Sequence, residues 1–152
     1  MDVEKKVRRE LLEHVLNIQR FLGIIIAELE KRGEEHDVSK TLPPEFEYFL
    51  ENIPALNCAA YGTEEYRQIL KGMRPAIEHH NKSNRHHPEY FDNGVNGMNL
   101  VDLIEMVCDW KAASLRGSGG DINKSVMLCS ERFGISPQLT QIILNTVKDF
   151  GW

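Results

Sequence analysis

Apolar residues recur three and four positions apart through most of this chain, and nowhere do they alternate with polar ones for the length of a strand. That period belongs to the helix. The fold is therefore expected to be all-α, an irregular single-domain bundle of six or seven helices. A first helix is predicted over 3–32, with Val7, Leu11, His14, Val15, Ile18, Phe21, Leu22 and Ile25 on one inward stripe and Gly33 as its stop. A turn and a short helix follow, broken at Pro43-Pro44, and another short helix over 45–52 ends near Pro54. Thr63 caps a helix over 64–80 that Pro75 kinks or breaks. Residues 81–99, rich in Asn, His, Pro and Gly, read as a long functional loop with one helical turn. Three more helices are predicted. One spans 98–116 and ends flexibly at Gly117-Ser118-Gly119-Gly120, and one spans 121–133 and stops at Gly134. The last opens on Ser136 and Pro137 and runs to about Phe150.

A length of 152 residues suits one core. The net charge of -5 argues against a duplex nucleic-acid sleeve or an anionic-membrane binder, while leaving room for a local basic pocket. Cys58, Cys108 and Cys129 are odd in number and widely spaced, which fits reduced, partly buried thiols better than a disulfide framework or a cysteine zinc site. No apolar run approaches the ~20 residues of a membrane span, and the first residues lack the apolar stretch of a secretory leader, so a cytoplasmic protein is expected.

The six histidines are grouped: His14 alone, His36 beside Asp37, and His79, His80, His86 and His87 within nine residues. Imidazole and carboxylate together are the usual ligands of zinc, iron, manganese, cobalt and nickel. His14, on the apolar stripe, faces inward; taken alone, a core histidine bonded to a carbonyl explains it better than a ligand does. His36-Asp37 can diverge around one ion, and Lys40 follows at the distance of one turn, able to hold a phosphate oxygen. The cluster from Glu78 to Tyr90 sets its four histidines among Asn81, Lys82, Asn84 and Arg85, so some should be ligands and others should contact substrate. Asp102, Glu105 and Asp109 share one face of a helix that is otherwise apolar, where a carboxylate needs a partner or a metal. Asp102 fits a helix-start cap; Asp109, deep in the helix, fits a ligand.

These residues resemble the HD superfamily of metal-dependent phosphohydrolases, over roughly residues 10–114. That family has a His on one helix, an adjacent His-Asp on the next and a later Asp on a distal helix. His36-Asp37-Val38-Ser39-Lys40 looks like its His-Asp-x-x-Lys form, and Asp109, followed by Trp110-Lys111-Ala112-Ala113, looks like its last-ligand helix. The resemblance implies His14, His36, Asp37 and Asp109 as ligands of a first ion. His86-His87, with His79 or His80, would serve a second, as in two-metal members. The chain departs from the pattern where the four histidines are compressed and where Pro88 interrupts the His-His-Glu element. The stretch Asn84-Arg85-His86-His87-Pro88-Glu89-Tyr90 also resembles one in a group of small phage and bacterial proteins, which implies no activity.

Three functions follow as expectations. The first is hydrolysis of a nucleotide or related small phosphate ester by metal-activated water. Lys40, Lys82 and Arg85 would neutralise the phosphate, Asn81 and Asn84 would contact substrate, and His79 or Glu105 would move the proton. The second, implied by the same resemblance, is a di-iron oxygenase. The third is a non-catalytic, metal-stabilised binding module. The long first helix and the last one offer surfaces for a homodimer.

Overall fold

The computed structural model describes residues 2–59, 63–115 and 120–152. Among them the chain is all-α, with seven α-helices and no strand. The expected flexible end at Gly117, Ser118 and Gly119 lies outside the described residues. The chain divides into two compact units, Met1–His36 and Asp37–Trp152.

The first unit is helix α1, Val3–Glu35. The Asp2 carboxylate accepts from the Glu4 N–H at 3.2 Å and caps its start. On its surface Arg8 pairs with Glu4 at 2.7 Å, one turn apart. The helix runs through Gly33, because a single glycine weakens a helix by ~1 kcal/mol without forbidding it. The expected inward stripe is not buried: Val7, Leu11, Val15, Ile18, Phe21, Leu22 and Ile25 are all exposed. Periodicity identifies the face a helix would cover and says nothing of whether a surface is there to cover it.

The second unit opens at Asp37, whose φ of 58° and ψ of 14° are left-handed, a conformation that aspartate tolerates better than most residues. A 3-10 turn, Val38–Thr41, leads to α2, Glu45–Cys58. This helix continues past the expected stop at Pro54; Pro54 and Leu50, whose carbonyl loses its donor there, are both exposed, so water can serve the carbonyl. The Thr63 hydroxyl accepts from the Tyr66 N–H at 3.2 Å and opens α3, Glu64–Gly72. At Pro75 the chain does break, and α4 begins anew over Arg74–Ser83 with the proline in its first turn, where no donor is missed. The region expected as a loop contains two 3-10 turns, Pro88–Tyr90 and Gly94–Gly97. Gly97 is required there: a Cβ would meet Asn93 Oδ1 at 2.5 Å and Phe91 Cβ at 2.8 Å.

Helix α5, Leu100–Ser114, starts in a capping box between Asn99 and Asp102. Asp121 caps α6, Ile122–Phe133, and Gly134 ends it with φ +62. Ser136 caps α7, Pro137–Asp149. Helices α5, α6 and α7 share the core, built from Met106, Val107, Trp110, Ile122, Val126, Ile143 and Val147 with Ile135. Helix α2 packs on α4, on α3 and on the turn that follows Asp37. All three cysteines are free; Cys58 and Cys108 are exposed rather than partly buried, and Cys129 is half-buried. No described helix is long and apolar enough to cross a membrane.

Candidate metal centre

Glu45 is the root of the site. It is the first residue of α2 and is wholly buried, a costly place for a carboxylate unless every lone pair is engaged. Oε1 accepts from His79 Nδ1 at 2.8 Å. Oε2 accepts from His80 Nδ1 at 2.9 Å and from the Ser39 hydroxyl at 3.0 Å. Asn84 closes the ring, donating from Nδ2 to Ser39 Oγ and to the His80 carbonyl, both at 2.8 Å. With its Nδ1 proton spent on Glu45, a neutral His80 carries a lone pair on Nε2.

That Nε2 lies 3.1 Å from Asp37 Oδ1, without hydrogen-bond geometry. A second imidazole arrives from the loop after α4. His86 sets Nδ1 3.2 Å from Glu105 Oε1 and Nε2 3.5 Å from the same Asp37 oxygen. The carboxylate beside Nδ1 leaves Nε2 as the ring nitrogen turned toward Asp37. Acceptors that face one another at such distances repel unless a cation lies among them. His87 completes the group: one ring nitrogen from each of His80, His86 and His87 lies within 4.8 Å of the other two. Zinc–nitrogen bonds of ~2.0–2.1 Å put tetrahedral ligand atoms about 3.4 Å apart, so small ring rotations suffice to bring the three onto one ion.

The electrostatics agree. Burial, the largest cause, holds the His87 ring well below the usual imidazole value, against the opposing pull of Asp109 and Asp37. Its ring is therefore neutral at ordinary pH, the form that binds a metal. The Nε2 atoms of His80 and His87 are buried and have no hydrogen-bond partner among the described residues. A buried imidazole nitrogen left in this state calls for a ligand of its own. These residues could hold a divalent metal ion.

The expected site residues divide accordingly. Asp37 lies beside His80 and His86, which with His87 form one group, three of the four histidines expected around a second ion. His79 is exposed and bonds to Glu45 instead. Asp109, half-buried on α5, acts on His87 through its charge. His14, exposed on α1, and His36, at the end of α1, belong to the first unit. Glu105, expected to move a proton, is buried against His86 and orients that ring. Lys40 pairs with the second oxygen of Asp37.

Three of the four expected substrate contacts are held by partners within the protein. Arg85 is bound to buried Asp102 by two bonds, Nε to Oδ1 at 3.0 Å and Nη2 to Oδ2 at 2.8 Å, and lies over the rings of Tyr90 and Phe91. The Asp102 hydrogen bond raises the already high pKa of that guanidinium. Asn81 donates to Glu89 at 3.3 Å, Asn84 braces His80 and Ser39, and Lys82 is exposed on α4. The two asparagines are short polar side chains at the end of α4, where local partners come first.

Sequence reasoning missed Glu45, Ser39 and the bracing role of Asn84. Ser39 sits inside the His-Asp-Val-Ser-Lys stretch and could have been found there. Glu45 reads as an ordinary acidic residue in a helix's first turn, and nothing local marks it as buried.

Fold and site together describe an all-helical protein whose second unit gathers imidazoles and carboxylates into a pocket suited to a metal. The chain belongs to the family DUF5662, a family of unknown function, which matches residues 3–149. No curated protein and no solved structure matches it.

Proposed function

We propose that the protein is a metal-dependent phosphohydrolase acting on a small phosphate ester. The observation that carries this reading is the facing of His80 Nε2 and Asp37 Oδ1 at 3.1 Å, with a buried carboxylate behind the imidazole fixing its tautomer. A metal there would be held by His80, His86, His87 and Asp37, with Glu45 and Glu105 orienting the rings. Bound metal lowers the pKa of water toward neutrality and draws charge from a phosphoryl oxygen. Lys40, fixed beside Asp37, supplies a cation for the remaining phosphate charge. The His-Asp-Val-Ser-Lys resemblance to HD phosphohydrolases supports the same chemistry.

The test is elemental analysis of freshly purified protein, followed by phosphate release from a panel of esters with manganese, cobalt, nickel or zinc added. The expected result is about one ion or more per chain and release that Asp37→Asn abolishes. Release that survives chelation of the metal, or metal-loaded protein inert on every ester, sinks the reading.

A purely structural metal is the second reading. The ligands come from the Asp37 turn, from α4 through His80 and from the segment after α4 through His86 and His87, while Glu45 and Glu105 tie in α2 and α5. An ion there would pin five separate segments. Metal that stabilises the fold while no ester is turned over would favour it.

A further inference from the structure

Asp37 belongs to two features at once. One oxygen faces the imidazoles, and the residue also lines a cavity of about 600 Å³ along α2, with Lys40, Phe46, Phe49, Leu50 and Ile53. We infer that this cavity is the binding site for the apolar body of an organic phosphomonoester, an aryl or alkyl phosphate, whose phosphate lies at Asp37 and Lys40. The inference rests on the phosphohydrolase reading of the adjoining cluster and names the substrate class it would take.

Three observations carry it. First, the polar groups of the lining are grouped. Asp37 and Lys40 pair with each other, and among the described residues Asn57 is the one other polar side chain there. An ion-pairing group at Lys40 on a largely apolar ligand matches this lining. Second, the apolar wall is open. Phe46, Leu50 and Ile53 recur at four and three positions on one face of α2 and are 44%, 65% and 42% exposed. A volume of this order suits a small molecule, and covering such side chains is the main source of affinity in small-ligand sites. A nucleobase would need several hydrogen-bonding groups to be read, and the wall presents none apart from Asn57. Third, Lys40 is the only cation in the lining among the described residues, with its Nζ 5.8 Å from the centre of the Phe49 ring. One ammonium beside the imidazole cluster matches one phosphate and falls short of a polyphosphate chain. The ammonium already lies near an aromatic face, so a substrate ring entering the cavity would meet Phe49 and the lysine together.

The test compares two non-hydrolysable probes, phenylphosphonate and methylphosphonate, by calorimetric titration of the full chain loaded with zinc. Both offer the same phosphonate head, and only one has an apolar body. Phenylphosphonate should bind about tenfold tighter or better. Leu50→Ser and Ile53→Ser, at exposed positions that leave the core untouched, should each reduce that ratio several-fold and leave methylphosphonate affinity unchanged. A ratio near one in the wild type overturns the assignment, whether the probes miss the cavity or another group already fills it. So does a ratio that both serine variants preserve. The two readings fail separately. A large ratio with no phosphate release from aryl esters removes the hydrolase and keeps the site. Equal release from phenyl phosphate and from sugar phosphates, with no probe preference, keeps the hydrolase and removes the site.

Discussion

Replacing Asp37 by asparagine isolates the charge at the centre of the cluster. Asparagine matches the shape of aspartate and tolerates the left-handed backbone found there, so the turn into Val38–Thr41 should survive. What disappears is the anionic oxygen lying 3.1 Å from His80 Nε2 and 3.5 Å from His86 Nε2. Removing a group that merely orients a metal ligand costs about 10–100-fold in affinity, and loss of the anion that faces Nε2 of both His80 and His86 belongs at the upper end. At a metal concentration of about 100 times the wild-type Kd, binding stabilises the fold by about 2.7 kcal/mol. A hundredfold weaker variant at the same concentration gains only about 0.4 kcal/mol. The difference of about 2.3 kcal/mol corresponds to roughly 5–9 °C of metal-induced shift in Tm. Differential scanning calorimetry with chelator and with metal reads that shift, and metal titration reads the affinity. Asp37→Ala serves as contrast: it loses the same charge and adds about 1 kcal/mol of backbone strain in the metal-free protein, which Asp37→Asn does not. An asparagine variant that keeps its metal affinity within about threefold, and its thermal shift with it, would falsify the placement of the ion at Asp37.

Glu45→Gln puts an amide where three donors converge, so one donor must go unmet in a fully buried place. The expected cost is about 2–4 kcal/mol by chemical denaturation, with metal affinity down about tenfold or more. Arg85→Met strands the buried Asp102 carboxylate and should cost about 3 kcal/mol in stability, while the KM for any ester turned over stays unchanged; a raised KM in folded protein would return Arg85 to the substrate. Only the thiolate is alkylated, and burial pushes the half-buried Cys129 thiol up, so its labelling by iodoacetamide should rise only at higher pH than an ordinary thiol's, as mass spectrometry across pH 7 to 10 would show.

The helices were readable where the chain carries its own end signals. Thr63, Gly134 and the Ser136-Pro137 pair each act on the nearest turn, and each does what its chemistry requires. The two prolines divide on context. Pro75 opens a helix and Pro54 sits within one, because an exposed carbonyl can turn to water and sequence does not reveal exposure. The site was half legible for the same reason. His80, His86 and His87 stand out by type and crowding, and Asp37 by its neighbour and by Lys40. Glu45 acquires its role only when α2 folds against α4, a contact between residues 34 and 35 positions apart. Arg85 was legible only as a charge: it suggested an anionic substrate, and sequence does not reveal that Asp102, 17 positions on, binds it. The stripe on α1 was correctly seen as continuous, and its burial did not follow from that continuity.

Asp102 is tied to two events that sequence keeps apart. One of its oxygens accepts from the Asn99 N–H, the contact that starts α5, and both grip Arg85, the residue immediately before His86. The first turn of that helix and the posture of the histidine pair thus share a single fastener. Until that turn is wound, Arg85 has no Asp102 carboxylate to hold, and the segment that carries His86 and His87 lacks this tie to α5.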